Sequence, residues 1–205
     1  MVLLSTAYCP NIEWFAIFLS KEKVLIESKE NFIKQTYRNR CTILSPQGKH
    51  NLIVPVIGGR SKNKKLITEI EIDYTKNWVD NHLKTIKTAY ASAPFFDFFF
   101  DEIAYTLKQK PEKLFDLNIA LLKTFLRILQ IDKKIELTDR YENPLPNGWL
   151  DYRYSLSPKN PSKINYPPYP QVFEDKFGFT PNLSILDLIF NMGNEAILYL
   201  KNIKI

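Results

Sequence analysis

Residues 2–28 constrain the fold more than any other part of the chain. A short apolar run, VLLSTA at 2–7, is ended by CPN, and a second run, KVLIES, follows at 23–28. Between them, IEWFAIFLSK (12–21) has apolar side chains at 14, 15, 18 and 19, the spacing of one helix face over two turns. A strand, a helix and a strand in so short a stretch fit a βαβ unit with a parallel pair of strands. That pairing points to an α/β domain.

The next segments add β structure. RNRCTIL (38–44) and HNLIVPV (50–56) flank SPQGK, a hairpin signature, and Pro55 argues for an edge strand or a strand end. LITEIEID (66–73) alternates, with Ile70 and Ile72 facing one way and Glu69 and Glu71 the other, as in a half-buried strand. Helical spacing then takes over. In 77–93, Val79, Leu83, Ile86 and Tyr90 share a face, and Pro94 breaks or restarts the helix. A second helix is predicted over 95–109. A third, over 113–131, carries a stripe of Leu114, Leu117, Leu121, Leu122, Phe125 and Leu129.

From 139 to 182 the chain is irregular and holds eight of its 13 prolines. A connection that long is functional or disordered, and its aromatics (Trp149, Tyr152, Tyr154, Tyr166, Tyr169, Phe173) favour an ordered loop packed over the domain. Ser184 with Asp187 forms a capping-box-like helix start, and Gly193 suits a helix C-cap. A final helix follows. With 205 residues, the chain reads as one α/β domain: a mixed sheet from the N-terminal half, covered by helices from the middle and the C-terminus.

Composition bounds the function. No apolar run reaches the length of a membrane span, and no basic segment precedes the first apolar run. Two cysteines, Cys9 and Cys41, make no disulfide scaffold, so a cytoplasmic location is expected. The net charge of +6 is spread out, and its densest run, RSKNKK at 60–65, reads as a solvated loop more readily than as a nucleic-acid contact. No Walker loop, G-x-G-x-x-G or metal-ligand spacing occurs, so neither cofactor nor metal is expected. The cysteines lack a visible histidine partner, which disfavours a cysteine hydrolase.

Two places hold candidate chemistry. His82 shares a helix face with Trp78 and is either a general base or a packed histidine; His50, beside Lys49, reads as exposed. In KQTYRNR (34–40), a strand would place Arg38 and Arg40 on one face with Asn39 on the other. Two guanidiniums there either grip an anion or pair with acids such as Glu27 or Glu69.

Four blocks in order, FIKQTYRNRCTIL, GKHNLIVPV, WVDNHLKTIKTAYASAPFF and YPQVFEDKFGFTPNLSILDLIFNMGNEAILYL, resemble the WbqC-like protein family over about residues 1–200. The H-x-x-T-I-x-x-x-Y helix and the SILDLIFN-x-G ending carry most of the resemblance. It implies an association with bacterial polysaccharide and O-antigen loci. It also implies that polar positions fall on Lys34, Arg38, Asn39, Arg40, His82, Tyr90, Ser184, Asp187 and Asn191. Two departures stand out: TAYCPNIEWF replaces a Gln-Pro-x-Tyr-Phe-Pro-like segment, and the region before the last block is short.

The resulting expectation is a sugar- or nucleotide-sugar-modifying transferase of surface-polysaccharide assembly. Lys34, Arg38 and Arg40 would bind phosphate, Asn39 would orient a hydroxyl, Tyr90 and Asp187 would join the substrate site, and His82 would be the base. The site would lie where the first strands meet the 77–93 helix, under the 145–175 loop. The partner is an anionic small molecule, with nucleic acid unlikely. The alternative is a non-catalytic binding or scaffold protein of the same machinery.

Overall fold

The computed structural model describes residues 1–58 and 65–205. Strand β1 (Val2–Ser5), helix α1 (Ile12–Ser20) and strand β2 (Val24–Glu27) form the expected βαβ unit, with β1 and β2 parallel in the register Val2–Val24 to Ser5–Glu27. Asn11 caps α1 by accepting the Trp14 N–H at 3.0 Å. Helix α1 is apolar on nearly every side, from Ile12 through Phe18. A helix of that kind belongs in the middle of a domain, and α1 packs between β1 and two C-terminal helices.

The hairpin is β3 (Arg40–Ser45) and β4 (Gly48–Ile53). Three amphipathic helices follow: α2 (Trp78–Tyr90), α3 (Phe96–Lys108) and α4 (Leu114–Ile128). Each buries the apolar positions its spacing predicts. Two short strands, β5 (Glu136–Leu137) and β6 (Leu150–Asp151), complete a four-stranded parallel sheet in the order β5-β2-β1-β6. The chain ends in α5 (Glu174–Phe177), α6 (Ile185–Met192) and α7 (Ala196–Asn202). This is a mixed α/β domain, as expected, but the outer strands of its main sheet come from beyond the middle of the chain. The hairpin is a separate two-stranded antiparallel sheet that packs on α2 and α6.

Two local expectations are corrected. Residues 66–73 are not a strand. Ile67–Glu69 form one 3-10 turn, closed by the Glu69 carboxylate accepting the Leu66 N–H at 3.1 Å. Beyond it, Ile70 O accepts the Leu114 N–H and Ile72 N donates to Glu112 O, while Glu71 O accepts the Ile57 N–H and Asp73 N donates to Pro55 O, so the segment makes isolated bridges to residues 55–57 and to the start of α4. The alternation still sets burial: Ile70 and Ile72 are buried. Secondly, β3 begins at Arg40, so Arg38 and Arg40 do not share a strand face. Asn39 N donates to Thr36 O, and Thr36 Oγ1 accepts the Arg38 N–H, which turns the chain at 36–39. The 139–182 segment is irregular apart from the short β6 and α5, and it buries Tyr166 and Tyr169. Most of the basic run at 60–65 lies outside the described residues.

Ser184 caps α6 through the Leu186 N–H, and Gly193 ends it with φ +56°. A Cβ at Gly193 would lie 2.6 Å from Phe95 Cδ1. Gly193→Ala is therefore expected to destabilise the fold by about 2–4 kcal/mol in urea unfolding, from backbone strain plus overpacking. Gly148→Ala has a positive φ but no neighbour within 4 Å, so it should cost less than half as much.

Candidate functional site

The carboxyl ends of the four parallel strands meet in one buried polar network. Ser5 ends β1 and Glu27 ends β2. Thr138 follows β5, and Arg153 follows β6. Arg153 Nη1 donates to Glu27 Oε2 at 2.9 Å, its Nη2 to Asp151 Oδ2 at 2.7 Å, and its Nε to Asp151 Oδ1 at 3.0 Å. Tyr141 stacks over the guanidinium at 4.7 Å. Glu27 Oε1 also accepts the Thr138 hydroxyl at 2.5 Å and the Lys29 N–H at 2.8 Å.

Arg38 forms the second half of the network. Its Nε and Nη2 grip Glu30 as a bidentate pair, at 2.9 and 2.5 Å. Nη2 also reaches Ser5 Oγ at 2.6 Å and the Arg153 carbonyl at 3.2 Å. Nη1 makes no hydrogen bond to a described residue. Burial pushes the Glu30 carboxyl above its ordinary range, and the Arg38 hydrogen bonds and charge oppose that rise. Both side chains of this pair are almost wholly enclosed.

Strand order explains why this end of the sheet holds a cavity. From β1 the sheet grows outward to β2 and β5, and the chain then crosses to β6 on the other side of β1. Ligands of open α/β sheets bind outside the carboxyl ends at such a switch point. A cavity of about 190 Å³ lies there, lined by Lys34, Arg38, Arg153, Lys159 and neutral side chains, with no carboxylate among its lining residues. Lys34 and Lys159 are exposed and unpaired among the described residues. Gln35, also in the wall, has φ +61°. A second cavity of about 420 Å³ is lined by Phe32, Tyr141, Lys29 and Asn31, and it shares Ile33 and Tyr154 with the first.

The residues singled out from sequence fall into separate places. Lys34 and Arg38 line the cationic cavity. Asn39 Nδ2 donates to Val54 O at 3.0 Å, while Asn39 Oδ1 and Arg40 Nε are buried without a partner among the described residues. His82 is buried on α2, where its Nδ1 shares a 2.9 Å hydrogen bond with the Tyr8 hydroxyl and its ring meets Trp78 edge-on. Burial lowers its pKa to about 4, so the ring is neutral at pH 7. It lines none of the cavities described above. Tyr90 and Asp187 meet in a third cluster. Asp187 Oδ2 accepts from the Tyr169 hydroxyl at 2.6 Å and from Gln171 Nε2 at 2.9 Å. Burial raises Asp187 to about 6, and burial followed by the Asp187 charge raises Tyr90. Ser184 Oγ donates to Cys9 O, and Asn191 Nδ2 donates to Asp187 O, so both hold backbone.

Sequence reasoning missed Glu30, Arg153 and Lys159. Asp151 and Arg153, two apart and flanked by tyrosines, formed a readable local pair, but Glu30 and Lys159 carried no signal of their own. Among the described residues, no group of three or more His, Cys, Asp or Glu is placed to hold a metal ion. No helix of the described residues is long and apolar enough to cross a membrane.

Comparison with known proteins adds lineage to this geometry. The profile of the WbqC-like protein family matches residues 6–150 and 160–199. An uncharacterized protein of Mycobacterium tuberculosis, Rv1507c, is 27% identical over 228 aligned residues, covering 98% of this chain and 97% of the relative. No solved structure matches the chain.

His82 and Asp187, both buried, predict opposite pH effects. His82 has a lowered pKa, so its contribution is present above its ordinary value of 6.5 and is lost as pH falls through about 4. Asp187 has a raised pKa, so its contribution is present below its ordinary value of 3.8 and is lost as pH rises through about 6. Each is worth at most about 3 kcal/mol. In urea unfolding between pH 4 and 7, Asp187→Asn should steepen the loss of stability on acidification, and His82→Gln should flatten it. Parallel profiles for the two variants would contradict these assignments.

Proposed function

The chain belongs to the WbqC-like protein family, and on that premise we propose that it binds a sugar phosphate or nucleotide-sugar at the carboxyl ends of its parallel sheet, as a sugar-modifying transferase. One observation carries this reading: among the described residues, four cationic side chains and no acid line the cavity at the topological switch point. Phosphate is the ligand that arginine and lysine side chains so placed bind best. Lys34 and Lys159 supply exposed charge at the rim, and Arg38, positioned by Glu30, supplies Nη1, which has no partner among the described residues. Phe32, Tyr141 and Tyr154 offer ring faces in the adjoining cavity for the base or sugar. The family's association with polysaccharide loci supports a step in bacterial surface-polysaccharide assembly of the O-antigen type. Two free, buried cysteines suit a reducing cytoplasm. His82 and Asp187 receive no chemical step in this reading, because neither lines the cationic cavity.

A second reading, a non-catalytic binding or scaffold protein, is favoured by one surface. Phe98 and Tyr105 on α3 are 75% and 67% exposed. They are seven residues apart and therefore share a helix face, which suits a protein partner.

The test separates the two. A thermal-shift screen with pyrophosphate and a panel of nucleotide-sugars should raise the melting temperature. Lys34→Ala and Lys159→Ala should each weaken the ligand roughly tenfold, the loss expected for a charge-assisted contact, without changing the ligand-free melting temperature. Arg38→Ala is a poor probe, because it strands the buried Glu30 charge at about 3–5 kcal/mol. If no phosphate compound shifts the melting temperature, the transferase reading falls. A Phe98→Ala, Tyr105→Ala variant that loses a co-purifying protein would then support the scaffold.

A further inference from the structure

A cleft of about 460 Å³ lies between the β3–β4 hairpin and the 158–166 segment, on the other side of the wall that bounds the cationic cavity. Along both segments of that wall, neighbouring residues serve opposite sides. Thr36 and Arg38 line the cationic cavity while Tyr37 lines the cleft. Ser157 and Lys159 line the cavity while Pro158 and Asn160 line the cleft. Both stretches are turns, closed by Asn39 N–H to Thr36 O and by Asn160 N–H to Ser157 O, and each sends neighbouring side chains to opposite sides.

The chemistry of the cleft differs from that of the cavity. Lys49 is the only charged residue lining it among the described residues; amides, hydroxyls, tyrosines and prolines supply most of the rest. Its polar groups are held in place by their own hydrogen bonds. Thr42 Oγ1 donates to Asn51 Oδ1 at 2.8 Å, and the hydroxyls of Ser162 and Tyr166 are 2.7 Å apart. Asn182, with φ +56°, accepts the Glu13 N–H at 2.9 Å and donates to the Glu13 carboxylate at 3.1 Å. Pro158, Pro161 and Pro181 fix the backbone around them. Side chains that both donate and accept, next to tyrosine faces and with little net charge, match a ligand rich in hydroxyl groups and C–H faces. A phosphate would find one lysine there; a neutral sugar would find paired donors and acceptors on both walls.

We infer that this cleft is a second binding site, for a neutral glycosyl unit, distinct from the anion site across the wall. Asn51 and Asn160 contact the sugar hydroxyls from the two walls. Tyr37 and Tyr166 present rings to its C–H face. Both asparagines are exposed on the hairpin and the loop, so their replacement leaves the core intact.

Saturation-transfer NMR on the full chain tests this, with methyl glycosides of glucose, galactose, mannose and N-acetylglucosamine as probes. At least one should receive saturation from the protein. Asn51→Ala and Asn160→Ala should each weaken it about tenfold, the equivalent of about 1.4 kcal/mol, with the melting temperature unchanged. The pyrophosphate response through Lys34 and Lys159 is read separately, so failure of either site is distinguishable. Absence of saturation in every glycoside, or equal binding in wild type and both asparagine variants, overturns the proposal.

Discussion

The Arg153 guanidinium, held between Glu27 and Asp151, is the contact on which the arrangement of this protein depends. It joins the end of β2 to the end of β6 across β1, and its carbonyl receives Ser5 and Arg38. Arg153 and Glu27 are 126 residues apart in the chain, whereas Asp151 is Arg153's near neighbour. Two charges so deeply enclosed cost several kcal/mol each to dehydrate, and good geometry with full hydrogen bonding is what makes them tolerable. The stacked tyrosine and the Glu142 carbonyl complete that satisfaction. Such a pair adds little net stability, but it rejects any register in which a partner is left alone.

The same reasoning applies to the long Pro- and Tyr-rich segment. It has little periodic apolar character with which to bind a core, so specific polar ties hold it. Arg153 anchors its first part. Asp187, through Tyr169 and Gln171, anchors its second, and the Tyr199 hydroxyl donates to Pro167 O at 2.7 Å. With the segment pinned at these points, its stretch from 153 to 166 becomes a fixed wall. One side of that wall is cationic and the other neutral and polar. The separation arises at two turns, 36–39 and 157–160, which send neighbouring side chains to opposite sides.

Elements built from local contacts were legible in the sequence. The βαβ unit, the hairpin turn, helices α2 to α4, the Ser184 cap and the Gly193 stop follow from spacing and capping over a few residues. Residues 66–73 misled because burial alternates there with only isolated bridges to neighbouring segments, and period-two burial alone does not make a continuous strand. The strands β5 and β6 were not legible, because two residues carry no period at all. Within the candidate site, Lys34 and Arg38 were found by their clustering and by the family resemblance. Glu30 and Lys159 were not, since neither has a local feature that distinguishes it from a solvated charge.

What the sequence determined by itself is therefore a parallel α/β core: apolar spacing over 2–28 requires two strands joined by a buried helix, and the later periodic segments must cover it. What only the tertiary structure decided is the meaning of the charges. KQTYRNR reads as a row of cations, but folding pairs Arg38 with Glu30, buries part of Arg40, and leaves Lys34 on the rim of a cavity. His82 likewise becomes a neutral partner of Tyr8. The reason is physical: an apolar residue gains from burial against almost any apolar neighbour, whereas a buried charge is acceptable only beside a particular partner. That partner is chosen by the fold, not by proximity along the chain.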